Sequence, residues 1–186
     1  MTVAGPKKWT EEIILERVRL GRGQGSREMY SPWLLVQEYS SNSNQTRIPC
    51  AHFPRTIHTF SWLEYLMFLF HEWNGFYDYR EQFPVDRSVT LVAAAVRNLL
   101  HPVYRDTRVP VVMTIDALIT LQEPSGQLNL QAWDAKPTDK LERKNVKNAL
   151  ALHQAFCEDL GIPHFLFTVE SQGVKLLLNI AWARGA

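Results

Sequence analysis

Two short runs of residues on either side of a turn constrain the fold of this chain most. Residues 128–136 form a polar–apolar run, residues 122–127 are rich in turn-forming types, and the preceding run contains Asp116. Strand side chains alternate between the two faces of a sheet, so Asp134 and Lys136 share one face and Ala135 lies on the other. The sequence therefore predicts a hairpin that presents two carboxylates and a lysine at one place.

These residue types suit a metal site that acts on phosphate. Two neighbouring carboxylates repel each other unless one is protonated or a divalent cation lies between them. Mg²⁺ prefers carboxylate oxygens, and a lysine beside such an ion can hold a phosphate or orient a water. The combination favours metal-assisted cleavage of a phosphodiester. The alternative is a solvated strand end with a surface ion pair, which is common for an Asp-x-Lys segment.

A third acid, Glu64, is the only charged residue between Phe60 and Phe70. This segment predicts a buried helix, and a buried carboxylate is unfavourable unless it is paired or binds a metal. Ser61 and Glu64 also have the spacing of a capping box, in which the glutamate bonds the backbone N–H of the N-cap residue. The two functions are compatible, because a first-turn glutamate can cap its helix and face a cleft.

Glu64 on a helix, Asp116 on a strand and then Asp134-x-Lys136 follow the order of the PD-(D/E)XK nucleases. The chain also resembles the TnsA family, the endonuclease subunits of heteromeric cut-and-paste transposases, from about Ile13 to the C-terminus. The segments that carry this closer resemblance are residues 21–25, 30–38, 80–84 (Arg80-Glu81-Gln82-Phe83-Pro84), 101–103, 113–116 and 162–168.

The resemblance implies a restriction-endonuclease-like α/β fold, in which a central mixed sheet is flanked by helices. It implies a catalytic set of Glu64, Asp116, Asp134 and Lys136. The three acids and the backbone carbonyl of Ala135 would bind Mg²⁺, with Mn²⁺ as a substitute. The expected partners are double-stranded DNA at transposon ends, a TnsB-like transposase subunit and a TnsC-like ATPase. The expected product is a cut at the 5′ end of the transposon.

The chain departs from the family pattern at one site position and in its length. The family often has glutamine at the position of Asp134, so the aspartate adds one negative charge to the site. Larger members carry an additional C-terminal domain that docks on the ATPase. For residues 1–186 we expect a single endonuclease domain without that addition.

Two groups of residues are candidate DNA contacts. Arg80 and Gln82 lie in the segment typical of the family, although a strand end with a local ion pair would explain the same residues. Lys140, Arg143 and Lys144 follow the predicted catalytic lysine closely, which favours contact with backbone phosphates. A basic run on a helix is otherwise typical of a solvated face.

Composition restricts the function only weakly. The chain has 186 residues, 46% of them hydrophobic and 21% charged, which is ordinary for one globular domain. Its net charge of +1 is low for a protein that binds DNA strongly on its own. Cys50 and Cys157 match no metal-ligand spacing and predict reduced thiols in a cytoplasmic protein, and we find no signal peptide.

The remaining pattern predicts an alternation of helices and strands. Thr10 is the predicted N-cap of a first helix, residues 33–38 a strand, and His164–Val169 a buried strand. A long helix is predicted to begin at Pro137 and to carry His153 on its apolar stripe as a core or boundary residue. The other predicted elements are strands at 46–48, 55–58 and 76–81 and helices at about 61–74, 88–100 and 171–182.

Two rival functions stay open at this point. One is a stand-alone restriction-type or junction-resolving nuclease of the same fold, which should cut DNA without partners. The other is a non-catalytic assembly module that bridges transposase subunits. The complete set of three acids and a lysine argues against the second.

Overall fold

The computed structural model describes residues 8–39, 44–168 and 171–185, and a four-stranded mixed sheet lies at its centre. A separate two-stranded sheet precedes it in the chain. The elements in chain order are α1 (Glu11–Arg19), β1 (Thr46–Pro49), β2 (Thr56–Thr59), α2 (Trp62–Asn74), β3 (Asp78–Pro84), α3 (Arg87–Val96), β4 (Thr114–Gln122), β5 (Leu128–Ala135), α4 (Lys144–Asp159), β6 (His164–Phe167) and α5 (Ser171–Gly185). The predicted α/β class is confirmed.

The central sheet has the strand order β3-β4-β5-β6. β4 pairs antiparallel with both β3 and β5, whereas β6 runs parallel to β5. The predicted hairpin is β4–β5, with Ala117 opposite Trp133 and Gly126 at a φ of 88° in the turn. A parallel strand after a hairpin requires a crossover, and α4 supplies it.

Alternating residues of the hairpin supply two cores, one on each face of the sheet. Ala117 and Ile119 belong to the core that includes α2 and α5. Leu118 and Ala132 belong to the core that includes α3 and α4. Each fully buried large apolar side chain contributes about 1.5–3 kcal/mol, so both helical layers stabilise the sheet that carries the site.

The β3–β4 ladder is interrupted beside Asp116. Glu81 pairs with Ala117 and Phe83 with Ile115, but the register passes over Gln82 and Asp116. Gln82 has a φ of 48°, a left-handed conformation that is unusual for a residue other than glycine. Such strained positions persist where surrounding contacts fix them, and they cluster at functional sites.

A buried ion pair ties the small sheet to β3. One guanidinium nitrogen of Arg55 lies 2.7 Å from both carboxylate oxygens of Glu81, whose side chain is 2% exposed. Arg55 also donates to the backbone carbonyls of Arg27 and Tyr79, and the backbone N–H of His58 donates to Glu81. These contacts fix the backbone immediately before Gln82.

The predicted strand at residues 33–38 is wrong. Residues Val36–Glu38 form a 3-10 turn instead. The Glu38 carboxylate accepts hydrogen bonds from Arg17, Arg22 and the backbone N–H of Leu35, and these contacts fold the segment back on itself. Two of these donors are distant in sequence, so strand propensity alone could not anticipate the outcome.

Two other predicted elements differ in detail. The long helix begins at Lys144 and not at Pro137, because a separate 3-10 turn at Thr138–Lys140 comes first. β6 ends at Phe167 and is not buried throughout, since Phe165 and Leu166 are 38% and 39% exposed. It lies at an edge of the central sheet, so it has a neighbouring strand on one side only. Val169, the predicted end of this strand, lies outside the described residues.

The helix predictions are otherwise confirmed. Thr10 caps α1 by accepting a hydrogen bond from the backbone N–H of Ile13, and α2 and α5 occupy the predicted segments. α3 ends at Val96 and not at Leu100 as predicted. The described part of the chain includes no helix with the length and apolar character needed to cross a membrane. Cys50 and Cys157 are free thiols.

Candidate active site

Asp116 and Lys136 meet where the hairpin strands diverge. The Lys136 ammonium lies 2.6 Å from Oδ2 of Asp116 and 3.6 Å from Oδ1 of Asp134. The same Asp116 oxygen accepts the backbone N–H of Ala135 at 2.8 Å, so a side chain replaces a backbone carbonyl as the acceptor there. Lys136 also donates to the Ala135 carbonyl at 3.1 Å. The structure thus brings together four of the residues proposed from sequence.

Glu64 is buried near the same place on the first turn of α2. Its Oε2 accepts the backbone N–H of Phe60, and its Oε1 accepts the hydroxyl of Ser61. The predicted cap is therefore present with one difference. Glu64 accepts the backbone N–H of Phe60, the residue before the N-cap, and not the backbone N–H of Ser61, the N-cap itself. Burial and the negative charge of Asp116 raise the pKa of Glu64 to about 8, while the Phe60 bond and the charge of Lys136 oppose that rise.

Gln82 connects Glu64 to the strand of Asp116. Its Nε2 donates to Oε2 of Glu64 at 3.1 Å, and its Oε1 accepts the hydroxyl of Thr114 at 3.2 Å. Gln82 is only 4% exposed. Its left-handed backbone conformation interrupts regular strand geometry, and its amide lies between α2 and β4. Sequence reasoning proposed this residue as a DNA contact and missed its bond to an acid.

Asp134 is fully buried on the face of the sheet that α4 covers. Its Oδ2 lies 2.7 Å from Nδ1 of His153 and 2.8 Å from Nε2 of His164. Its Oδ1 has no hydrogen-bond partner among the described residues. Burial alone would raise the pKa of Asp134, but the charge and hydrogen bond of His153, the hydrogen bond of His164 and the charge of Lys136 hold it well below its usual range.

The two histidines were not recognised as site residues from the sequence. His153 was expected in the core, and it is buried on α4, but its contact with Asp134 was not foreseen. One signal was available, because a polar residue on an apolar helical stripe requires a buried partner, as the Glu64 argument already assumed.

Lys136 lies among acidic groups. Burial would lower the pKa of Lys136, but the charges of Asp116 and Asp134 outweigh it and raise that pKa, so the ammonium stays protonated. Burial raises the pKa of Asp116, and Lys136 opposes that shift. Three carboxyl groups beside one ammonium favour a divalent cation on electrostatic grounds.

The donor atoms suit such a cation. Carboxylate and carbonyl oxygens are the ligands that hard divalent cations prefer, and Glu64, Asp116, Asp134 and the Ala135 carbonyl supply them. The unpartnered Oδ1 of Asp134 also fits, because a buried carboxylate oxygen without a donor is satisfied by a metal. Within the described residues, one group of histidine, cysteine and acidic side chains has all its ligand atoms within 4.8 Å of one another: Asp134, His153 and His164.

The candidate DNA contacts fall into two environments. Lys140, Arg143 and Lys144 are exposed around the start of α4, a few residues after Lys136. The Arg80 side chain is 18% exposed, pairs with Asp78 at 3.3 Å and lies over the ring of Phe83. The local ion pair of β3 therefore joins Arg80 to Asp78. Glu81 is on the other face of the strand, where Arg55 binds it.

A family model described as TnsA-like endonuclease N terminal matches residues 76–169 of this chain. This chain belongs to the TnsA-like endonuclease family. The matched range includes β3 to β6, and with them Asp116, Asp134 and Lys136. The central sheet and its flanking helices are accordingly those of the PD-(D/E)XK nuclease fold.

A curated relative matches beyond the family range. The transposon Tn7 transposition protein TnsA of Escherichia coli is 34% identical to this chain over 175 residues. The match covers 94% of this chain and 63% of the relative, so the TnsA-like chain spans less than two thirds of that protein's length.

Proposed function

We propose that this chain is the catalytic endonuclease subunit of a heteromeric transposase, which cuts DNA at the 5′ ends of a transposon. One observation carries the proposal: Asp116, Asp134 and Lys136 converge at the point where β4 and β5 diverge, next to the buried Glu64. Membership of the TnsA-like family supports the same function. Residues 1–186 would act as one catalytic domain.

Mg²⁺ is the proposed cofactor, with Mn²⁺ as a substitute. Glu64, Asp116, Asp134 and the Ala135 carbonyl would hold it, and when bound it would activate a water and neutralise charge on the scissile phosphate. Glu64 would have to lose a proton in order to bind a cation, because burial and the charge of Asp116 raise its pKa to about 8.

Lys136 stabilises phosphate charge in this mechanism. Its pKa is raised by Asp116 and Asp134, which favours the charged ammonium over the neutral amine that a general base requires. A protonated ammonium beside the acids can contact a non-bridging phosphate oxygen, where negative charge accumulates during phosphoryl transfer. Its hydrogen bond to the Ala135 carbonyl keeps it at that position.

DNA would approach from the start of α4. Lys140, Arg143 and Lys144 are exposed there, a few residues after Lys136, which supports contacts with backbone phosphates. Gln82 and Arg80 were also proposed as DNA contacts, but the amide of Gln82 is engaged by Glu64, and Arg80 is engaged by Asp78. For these two we propose indirect roles through the acids and β3.

We predict that the isolated chain nicks plasmid DNA weakly or not at all in Mg²⁺. Its net charge of +1 gives little affinity from counterion release, so DNA must be presented by a partner. A TnsB-like transposase subunit is the proposed partner, with a TnsC-like ATPase as regulator. Nicking of transposon-end plasmids by the chain alone and with a TnsB-like subunit measures the difference. Efficient, sequence-specific cutting by the chain alone would favour a stand-alone nuclease instead.

A further inference from the structure

The two oxygens of the Asp134 carboxylate have different environments. Oδ2 is bound by both His153 and His164, at 2.7 and 2.8 Å. Oδ1 is buried without a hydrogen-bond partner among the described residues and lies 3.6 Å from the Lys136 ammonium. The side chain is thus fixed through one oxygen, and the other is turned towards the residues of the candidate active site.

The two imidazoles reach Asp134 from different elements. His153 is on α4 and His164 is the first residue of β6, and their ring planes are nearly perpendicular at 85°. An ionised carboxylate accepts hydrogen bonds only, so the protons must be on Nδ1 of His153 and on Nε2 of His164. Two donors from separate directions leave the carboxylate little freedom to rotate.

We propose that His153 and His164 are positioning residues, which hold Asp134 so that Oδ1 alone faces the cation site. The inference rests on the proposed function, because it assigns a role in that same site. Carboxylates that bind metals are themselves hydrogen-bonded by a second layer of residues, and loss of such partners typically weakens metal affinity or activity about 10- to 100-fold.

A separate metal site made of Asp134, His153 and His164 fits the contacts less well. Both nitrogens lie at ordinary hydrogen-bond distances from one oxygen, which fits two N–H donors to a carboxylate. A metal would require both nitrogens to be deprotonated and the three atoms to surround a common centre. Zn²⁺ binding therefore serves as a competing outcome of the test.

The histidines allow a matched pair of substitutions at each position. Asparagine at 153 can place its amide nitrogen close to the Nδ1 position, and glutamine at 164 can place its amide nitrogen close to the Nε2 position. Leucine removes the hydrogen-bond donor at either position and replaces the imidazole with an apolar side chain of comparable size. His52→Leu is the control, because His52 is exposed and lies on the loop between β1 and β2.

Two measurements are made on each purified, folded variant. The first is Mn²⁺ binding to the chain alone by calorimetry, and the second is the Mg²⁺ concentration that gives half-maximal cleavage with a TnsB-like subunit. We expect His153→Leu and His164→Leu to weaken both about 10-fold or more. We expect His153→Asn and His164→Gln to stay within about threefold of wild type, because each retains a donor to Oδ2. His52→Leu should change neither.

Several results would overturn the inference. A folded leucine variant with wild-type Mn²⁺ affinity and Mg²⁺ dependence would give the histidines a structural role only. If wild type binds Zn²⁺ stoichiometrically and all four variants at positions 153 and 164 lose that binding, then Asp134, His153 and His164 form a metal site. If His153→Leu does not fold, His164→Leu carries the test, because His164 begins an edge strand. A wild-type chain that neither binds Mn²⁺ nor cuts with partners would contradict the proposed function itself.

Discussion

Asp116→Asn should abolish cleavage while leaving the hairpin folded. Asparagine can still accept the Ala135 N–H through its side-chain oxygen, so the divergence of β4 and β5 is preserved. It removes the negative charge that a cation requires and the ion pair that holds Lys136 at 2.6 Å. Loss of one such charge-stabilising group typically costs about 100-fold or more in rate. The measurement is the cleavage rate of transposon ends in the presence of a TnsB-like subunit.

Asp106→Asn is the matched control for this experiment. Asp106 is an exposed loop residue outside the site, and its substitution should change the rate by less than about twofold. Circular dichroism and thermal unfolding of both variants test whether the fold is retained. A folded Asp116→Asn protein that cuts at nearly the wild-type rate would remove Asp116 from the catalytic set.

Glu64→Gln should have opposite effects on activity and on stability. The folded protein raises the pKa of Glu64 from 4.5 to about 8, first through burial and then through the charge of Asp116. Folded protein therefore binds this proton more tightly than unfolded protein, so the free energy of unfolding falls as pH rises from about 4.5 to about 8. Glutamine carries no charge at any of these pH values and avoids that loss.

We expect metal-free Glu64→Gln to be more stable than wild type by at least about 1 kcal/mol at pH 9, with a smaller difference at pH 5. This corresponds to about 2–4 °C in midpoint for a domain of this size. The same variant should lose about 100-fold or more in cleavage and most of the stabilisation that Mn²⁺ gives wild type. Thermal unfolding in EDTA and in Mn²⁺ at both pH values measures these differences.

The exposed turn residue Glu123 offers a control of the same chemistry. Glu123→Gln should retain the wild-type cleavage rate and should not show the stability gain expected of Glu64→Gln at pH 9. If Glu64→Gln is less stable than wild type at pH 9, then the buried carboxyl is not under electrostatic strain. Its contribution as a cap would in that case outweigh its unfavourable position beside Asp116.

The parts of the fold that local sequence determines were the parts that could be predicted. The β4–β5 hairpin follows from alternation and one turn, and these brought Asp116, Asp134 and Lys136 together without any long-range information. Glu64 was found because a single charge interrupts an apolar helix. Each of these inferences used only the pattern of neighbouring residues in the sequence or the general free-energy cost of burying a charge.

The parts that failed depend on contacts between distant segments. Residues 33–38 were predicted as a strand, but Arg17 and Arg22 bind Glu38 and fold the segment into a turn. The exposure of β6 depends on its place at the edge of the sheet, which its composition does not encode. His153 and His164 are 11 residues apart by their numbers, and only the packing of α4 against β5 reveals that they share Asp134.

The Arg55–Glu81 pair extends the region in which substitutions affect catalysis. It fixes β3 one residue before Gln82, so its loss would displace the amide that Glu64 bonds, although Arg55 itself is outside the candidate catalytic set. Breaking a buried ion pair by removing one partner typically costs about 3–5 kcal/mol. Genetic screens for inactive variants would therefore recover changes at Arg55, in the connection before β2, as well as changes in the acids. The positions of inactivating substitutions would therefore extend beyond the surface that DNA contacts.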